Sequence, residues 1–135
     1  MATTFASVRL VTDDVSRLVA FYEQVTQVPA TWATDQFAEV VTRAGTLAIA
    51  GTGTLALFGS AIARPADNHT AILEFQVPDV DAEHERLSAA LDLDLVQAPT
   101  TMPWGNRSLL FRDPDGSLVN LYTPVTAAAV ARFNR

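Results

Sequence analysis

The sequence contains no cysteine and few basic residues, and each shortage excludes a kind of site. Without thiols the protein can form no disulfide, no thiolate metal site and no cysteine nucleophile, although this absence does not identify the cellular compartment. Lys and Arg number 9 against 15 Asp and Glu, which gives a net charge of −6. Because a phosphate-backbone site needs clustered Lys and Arg, we expect no nucleic-acid binding.

Signal-peptide and membrane-spanning patterns are missing as well. The opening segment "MATTFASVRL" has no basic stretch followed by an apolar core, so we expect no signal peptide. No apolar run approaches the length of a membrane span, so we expect no membrane partner and a cytoplasmic protein. What the chain does have is 135 residues with 49% hydrophobic and 18% charged side chains, which is typical of one globular domain with a substantial core.

Hydrophobic periodicity in the first half predicts a strand, a helix and then further strands. Residues 5–12 alternate as a strand, and Asp13 or Asp14 then caps a helix that Pro29 ends. The stretch "TWAT" is a short extended piece and "FAEVVT" (37–42) is a strand. The last strand of this half is either "TLAIA" (46–50) or "TLALF" (54–58), which "GTG" separates. The first half therefore has the predicted order β-α-β-β-β.

The second half repeats this order. Residues 70–77 form a predicted strand, Pro78 and Asp79 open a helix, and further strands are predicted at 93–97, 108–112 and 117–122. "APTTMPWGN" is predicted as a loop, "DPDG" as a tight turn and "TAAAVARFN" as a helical tail. The dipeptides that open the two helices, Asp14-Val15 and Asp79-Val80, lie 65 positions apart. This spacing indicates an internally duplicated fold.

Two such modules, with "DPDG" between the last two strands, resemble the vicinal oxygen chelate superfamily. Its members include glyoxalase I, extradiol dioxygenases, fosfomycin-resistance enzymes and metal-free bleomycin-resistance proteins. The most specific stretch is "PWGNRSLLFRDPDGSLVNLYTP" (103–124). The resemblance implies an α+β fold in which a mixed sheet curls into a cup with helices outside. It also implies one domain over residues 1–135, with module one at about 5–58, a linker at 59–69, module two at about 70–124 and a tail at 125–135.

The enzymes of that superfamily take four metal ligands, two from each module. The resemblance places these positions at Ser7, at Ala48 or Ala56, at Ile72 and at Asn120. None of these side chains is a carboxylate or an imidazole, which divalent metals require, so we expect no metal and no cofactor. The two histidines do not replace them, because His69 lies at the linker and His84 on the second helix.

Two charged residues occupy equivalent places on the first strands of the modules. Strand alternation places Arg9 on the face of Ser7, and Glu74 lies 65 positions later on the face of Ile72. Both would point into the cup that the resemblance implies, where opposite charges should pair. The pair either fixes the strand register or contacts a ligand. A role for Glu74 as a general base is disfavoured, because Arg9 would lower its pKa.

Polar and aromatic residues complete the candidate ligand site. Alternation in the last strand places Asn120 and Tyr122 inward, where they could hydrogen-bond a ligand. Trp104 lies in the loop before the penultimate strand, and Trp32 lies after the first helix. Either ring could stack on a ligand, and the alternative is that each only fills the cavity mouth or a subunit boundary.

These residues favour a binding protein over an enzyme. The preferred hypothesis is a metal-independent binding protein of the bleomycin-resistance type. Such a protein would confer antibiotic resistance by sequestering a planar or aromatic small molecule. We expect it to be a homodimer. One alternative is a glyoxalase I-like lyase or a dioxygenase with a non-standard site. Another is a structural or regulatory dimer with no small-molecule role.

Overall fold

Each half of the chain builds its own four-stranded sheet. The computed structural model describes residues 1–59 and 62–133, which fall into two compact units, Met1–Asn68 and His69–Arg135. Each unit contains the β-α-β-β-β order that the sequence predicts. The α+β class is therefore confirmed, while the grouping of both modules into a single domain stays a prediction.

The first unit packs one long helix on one face of its sheet. Asp14 caps this helix, since its side chain accepts a hydrogen bond from the Arg17 N–H at 3.1 Å. The helix ends at Thr26, before Pro29, because Gln27 adopts a left-handed conformation (φ 57°) and donates to the Glu23 carbonyl. The elements are β1 (Ser7–Thr12), α1 (Val15–Thr26), β2 (Thr31–Thr34), β3 (Phe37–Val41) and β4 (Thr46–Gly51).

One of the two candidate strands that end the first half is not a strand. "TLAIA" lies within β4, whereas "TLALF" lies within a 3₁₀ helix (Thr52–Phe58). The hydroxyl of Thr54 donates to the Gly51 carbonyl at 2.7 Å, and this local bond favours the turn over extension. Ala56 is therefore excluded as a strand residue, and Ala48 is retained.

The second unit begins like the first. Asp79 caps its helix by accepting from the Ala82 N–H at 3.2 Å, as Asp14 does in the first unit. Thr123 joins this helix to the sheet, because its hydroxyl donates to the Val77 carbonyl and accepts from the Val80 N–H. The elements are β5 (Ile72–Gln76), α2 (Val80–Ala90), β6 (Asp94–Thr101), β7 (Asn106–Arg112), β8 (Leu118–Pro124) and α3 (Ala127–Phe133).

The predicted loop "APTTMPWGN" is mostly strand. β6 continues through Pro99 to Thr101, paired with β7 by way of two register shifts. Proline is tolerated there because β6 is the edge strand of its sheet. Only the turn at "MPWG" remains, closed by the Gly105 N–H donating to the Met102 carbonyl. The "DPDG" turn is present as predicted, with the Gly116 N–H donating to the Asp113 carbonyl.

The two sheets share one topology. Their strand orders are β1-β4-β3-β2 and β5-β8-β7-β6, with the first strand of each unit parallel to its last. In the second sheet, Phe111, Val119 and Leu121 are fully buried on the face that α2 covers. We call the opposite face of each sheet its open face. It carries Arg9 and Ala48 in the first sheet, and Glu74, Asn120 and Tyr122 in the second.

In the part of the chain that the structure describes, no helix is both long and apolar enough to cross a membrane.

Candidate functional site

The open face of the second sheet centres on a hydrogen-bonded pair. Glu74 of β5 lies in register with Asn120 of β8, and the Asn120 amide nitrogen Nδ2 donates to Glu74 Oε2 at 2.9 Å. The other end of the amide, Oδ1, is buried and has no hydrogen-bond partner among residues 1–59 and 62–133. A buried carbonyl oxygen usually has a hydrogen-bond partner. Asn106 Oδ1 and Asp115 Oδ2 are also buried without one, so Asn120 Oδ1 is distinguished by its place beside Glu74 on the open face.

Apolar side chains lie on two sides of this pair. Leu110 of β7 lies in register with Asn120 on one side, and Ile72 and Leu118 face each other at the next position along the strands. Ile72 is half exposed at 50%, while Leu110 and Leu118 are partly buried. The face therefore offers apolar surface around a small polar centre, which is the usual composition of a small-molecule site.

The first sheet has a different centre. Ala48 of β4 is buried and lies in register with Arg9 on β1 and Glu39 on β3. The Arg9 guanidinium carbon is 5.2 Å from the centroid of the Phe37 ring, a distance typical of a cation–π contact. The Arg9–Ala48 pairing corresponds to the Glu74–Asn120 pairing of the second sheet. Ala48 is thus the counterpart of Asn120.

The donor set does not fit a divalent metal. The first unit offers Ser7 and Ala48 at the positions that the resemblance assigns to ligands, and the second offers Ile72 and Asn120. A hydroxyl and an amide are weak neutral donors, and alanine and isoleucine have none. Among the residues that the structure describes, no three His, Cys, Asp or Glu side chains cluster as a metal site would require.

We expect the purified protein to carry no stoichiometric divalent metal. The physical reason is that the four positions lack carboxylate and imidazole ligands. Elemental analysis by plasma mass spectrometry tests this after purification without chelators. Zinc, nickel, iron or manganese near one equivalent in the wild type, and absent from Asn120→Ala, would contradict the prediction.

Tyr122 also lies on the open face of the second sheet, but the chain's own tail covers it. Its ring centroid is 5.2 Å from that of Phe133 on α3. Burial, and then the nearby charge of Glu74, raise the pKa of the Tyr122 hydroxyl, so this group stays neutral at physiological pH. The sequence predicted the helical tail and the inward direction of Tyr122, but gave no signal that Phe133 packs on its ring.

The two tryptophans lie apart from this pair. Trp104 is at the tip of the β6–β7 hairpin and is 59% exposed. At the base of this hairpin, Asn106 pairs with Pro124. Asn120 lies four residues from Pro124 along β8, which is about 13 Å from it by strand rise. Trp32 pairs with Ala38, which places it on the face that α1 covers and away from the face of Arg9.

One sequence prediction joins the two units. Arg9 belongs to the first unit and Glu74 to the second, and their charge pair stays a prediction. What the structure adds is a local contact for each, with the Phe37 ring for Arg9 and with the Asn120 amide for Glu74. Sequence reasoning missed both contacts, because each depends on a cross-strand register that the helical and strand patterns do not fix.

Solved structures share this fold at low sequence identity. A glyoxalase/bleomycin resistance protein/dioxygenase from Nocardioides matches with TM-score 0.75 and 20% identity, covering 94% of this chain and 87% of that one. A glyoxalase/bleomycin resistance protein/dioxygenase family enzyme from Burkholderia phytofirmans PsJN matches with TM-score 0.78 and 19% identity, covering 89% of this chain and 98% of that one. A glyoxalase-related enzyme from Fulvimarina pelagi matches with TM-score 0.75 and 19% identity, covering 94% and 95%.

The sequence itself matches a family model. Among curated proteins no significant match exists. The model of the glyoxalase/bleomycin resistance protein/dioxygenase superfamily, however, matches residues 4–121, which is most of the 135-residue chain. The chain therefore belongs to the glyoxalase/bleomycin resistance protein/dioxygenase superfamily.

Proposed function

We propose that the protein binds a small organic molecule on the open face of its second sheet without a metal, as drug-sequestering proteins of the bleomycin-resistance type do. The observation that carries this proposal is the state of Asn120. It occupies the position that the superfamily's enzymes give to a metal-binding glutamate, it is tied to Glu74, and its Oδ1 atom is buried without a partner.

A ligand would complete this arrangement. An unsatisfied buried acceptor costs about 1–3 kcal/mol. Because Oδ1 is buried in the free protein, a ligand N–H or O–H would reach it after a shift of the surrounding side chains, and it would then remove that cost. The surrounding Ile72, Leu110 and Leu118 would contact the flat apolar part of such a ligand. Tyr122 can contribute its hydroxyl only where α3 leaves it accessible.

The other candidate residues have different roles in this proposal. Trp104, at an exposed hairpin tip, would contact a ligand only at the rim. Contributions of Arg9 and Trp32 to ligand binding stay predictions, and Trp32 shares the face that α1 covers. A homodimer and a cytoplasmic location remain predictions.

We expect metal-free protein to bind planar aromatic compounds with affinity that depends on Asn120. A thermal-shift screen of such compounds in the presence of EDTA would find ligands, and titration calorimetry would measure their affinities. Asn120→Leu should weaken binding about tenfold, because it removes the central hydrogen bond while keeping the number of side-chain heavy atoms. Gln24→Leu makes the same change of an amide to a hydrocarbon on the exposed surface of α1 and should leave the affinity unchanged.

The alternative function is that of a lyase or dioxygenase with a non-standard site. It predicts binding or turnover that requires an added divalent metal and disappears with EDTA. Metal-dependent binding, or metal-free binding that is identical in the wild type and Asn120→Leu, would contradict the proposed function.

A further inference from the structure

We propose that Glu74 and Asn120 select ligands that carry a cationic N–H donor group of the amidinium or guanidinium kind. This inference rests on the proposed function, since it names the class of ligand for the same site. It is carried by the geometry of the pair on the open face of the second sheet, and by the charge that this face presents.

The orientation of the Asn120 amide is fixed by its partner. A carboxylate only accepts hydrogen bonds, so the atom at 2.9 Å from Glu74 Oε2 must be the donating nitrogen. A flipped amide would set two oxygens against each other. The Asn120 Oδ1 atom therefore faces away from Glu74 as a buried acceptor, and it has no partner in the described part of the chain.

The pair then has more acceptors than donors. An ionised carboxylate has two oxygens, with about four lone-pair positions, and Asn120 fills only one of them. The second acceptor is Asn120 Oδ1. A ligand that offers two or more N–H groups from one planar cation can satisfy both side chains, whereas a carboxylate or a carbonyl-rich group would meet repulsion.

The described ion pairs of the second unit involve other carboxylates. Glu83 pairs with Arg86, and Asp81 pairs with Arg107 on the opposite side of the sheet. Arg112 donates to the Gly116 carbonyl, whereas Arg132 stacks on the Phe133 ring near the Tyr122 end of the open face. Glu74 is exposed, so its charge is available to a ligand.

Three probes with one ring and different charge test this inference. Benzamidine is a planar cation with N–H donors, benzamide is its neutral analogue, and benzoate is its anionic analogue. We expect benzamidine to bind about tenfold more tightly than benzamide, and benzoate to bind most weakly. Titrations followed by ¹⁵N-resolved NMR would measure the three affinities, and the side-chain amide signal of Asn120 should shift with benzamidine.

Variants assign the preference to Glu74. Glu74→Gln keeps the size and removes the charge, so the advantage of benzamidine over benzamide should nearly vanish. Glu85→Gln removes the same charge from an exposed position of α2 and should keep the advantage.

The outcomes separate this inference from the proposed function. Neutral planar compounds that bind in an Asn120-dependent way, without any advantage for benzamidine, would overturn the charge preference and leave the proposed function standing. An equal loss of the preference for benzamidine in Glu74→Gln and Glu85→Gln would also overturn it, because the preference would then depend on net charge alone. Failure of benzamidine to bind the wild type at millimolar concentration would overturn it as well.

Discussion

Replacing Gly105 with alanine should lower the free energy of unfolding by about 2–4 kcal/mol. Gly105 has φ +94°, a conformation that residues with a Cβ rarely adopt, and a Cβ there would lie 2.1 Å from the Thr126 hydroxyl and 3.0 Å from the Ala129 Cβ. Its carbonyl also accepts hydrogen bonds from the Val125 and Thr126 N–H groups. Urea denaturation followed by circular dichroism would measure the change.

Gly116 provides the matched control. It also has positive φ (+87°), but a Cβ built there meets nothing within 4 Å. Gly116→Ala should therefore cost only the backbone strain, about 1–2 kcal/mol. If the two variants lost equal stability, the contact between the "MPWG" turn and the start of α3 would contribute nothing.

Phe111→Ala should have the other large effect, a loss of about 3–5 kcal/mol in the free energy of unfolding. Phe111 is fully buried on the side of the second sheet that α2 covers, so the truncation leaves a cavity. Urea denaturation would measure this loss as well. The slope of the unfolding free energy against urea concentration should be the same in the variant and the wild type.

Leu110, the residue next to Phe111, tests which face of the sheet packs against the core. Leu110 points to the open face and is only partly buried, so Leu110→Ala should cost about 1–2 kcal/mol. A Leu110 variant as unstable as the Phe111 variant would show that the open face is packed in solution, and it would remove the apolar surface that the proposed function requires.

Local signals in the sequence predicted the parts of the fold that depend on local physics. Asp14 and Asp79 cap their helices as expected, because an N-cap needs only a side-chain oxygen near its own backbone. The two units also repeat as the spacing of these caps indicates. "TLALF" was ambiguous, because short apolar runs fit a strand and a helical turn equally well, and a single hydroxyl bond at Thr54 decides it.

The candidate site was harder to predict, because it depends on contacts between distant segments. The face on which Asn120 lies follows from alternation, but its bond to Glu74 requires the parallel register of β5 and β8. Similarly, nothing in the tail "TAAAVARFN" indicates that Phe133 contacts Tyr122. The loop position of Trp104 followed from the sequence, but its separation from Asn120 along the strand depends on the pairing of Asn106 with Pro124.

The strand pairing within each unit has a consequence for how the chain folds. β1 finds its parallel partner in β4 and β5 finds its partner in β8, and no described strand pairs with one from the other unit. During synthesis, the first sheet therefore has all of its strands before β5 is translated. Its hydrogen bonds can form while the second half is still on the ribosome. The parallel β1–β4 pair joins residues as far apart in sequence as Ser7 and Thr46, so it should form more slowly than the antiparallel β3–β4 hairpin.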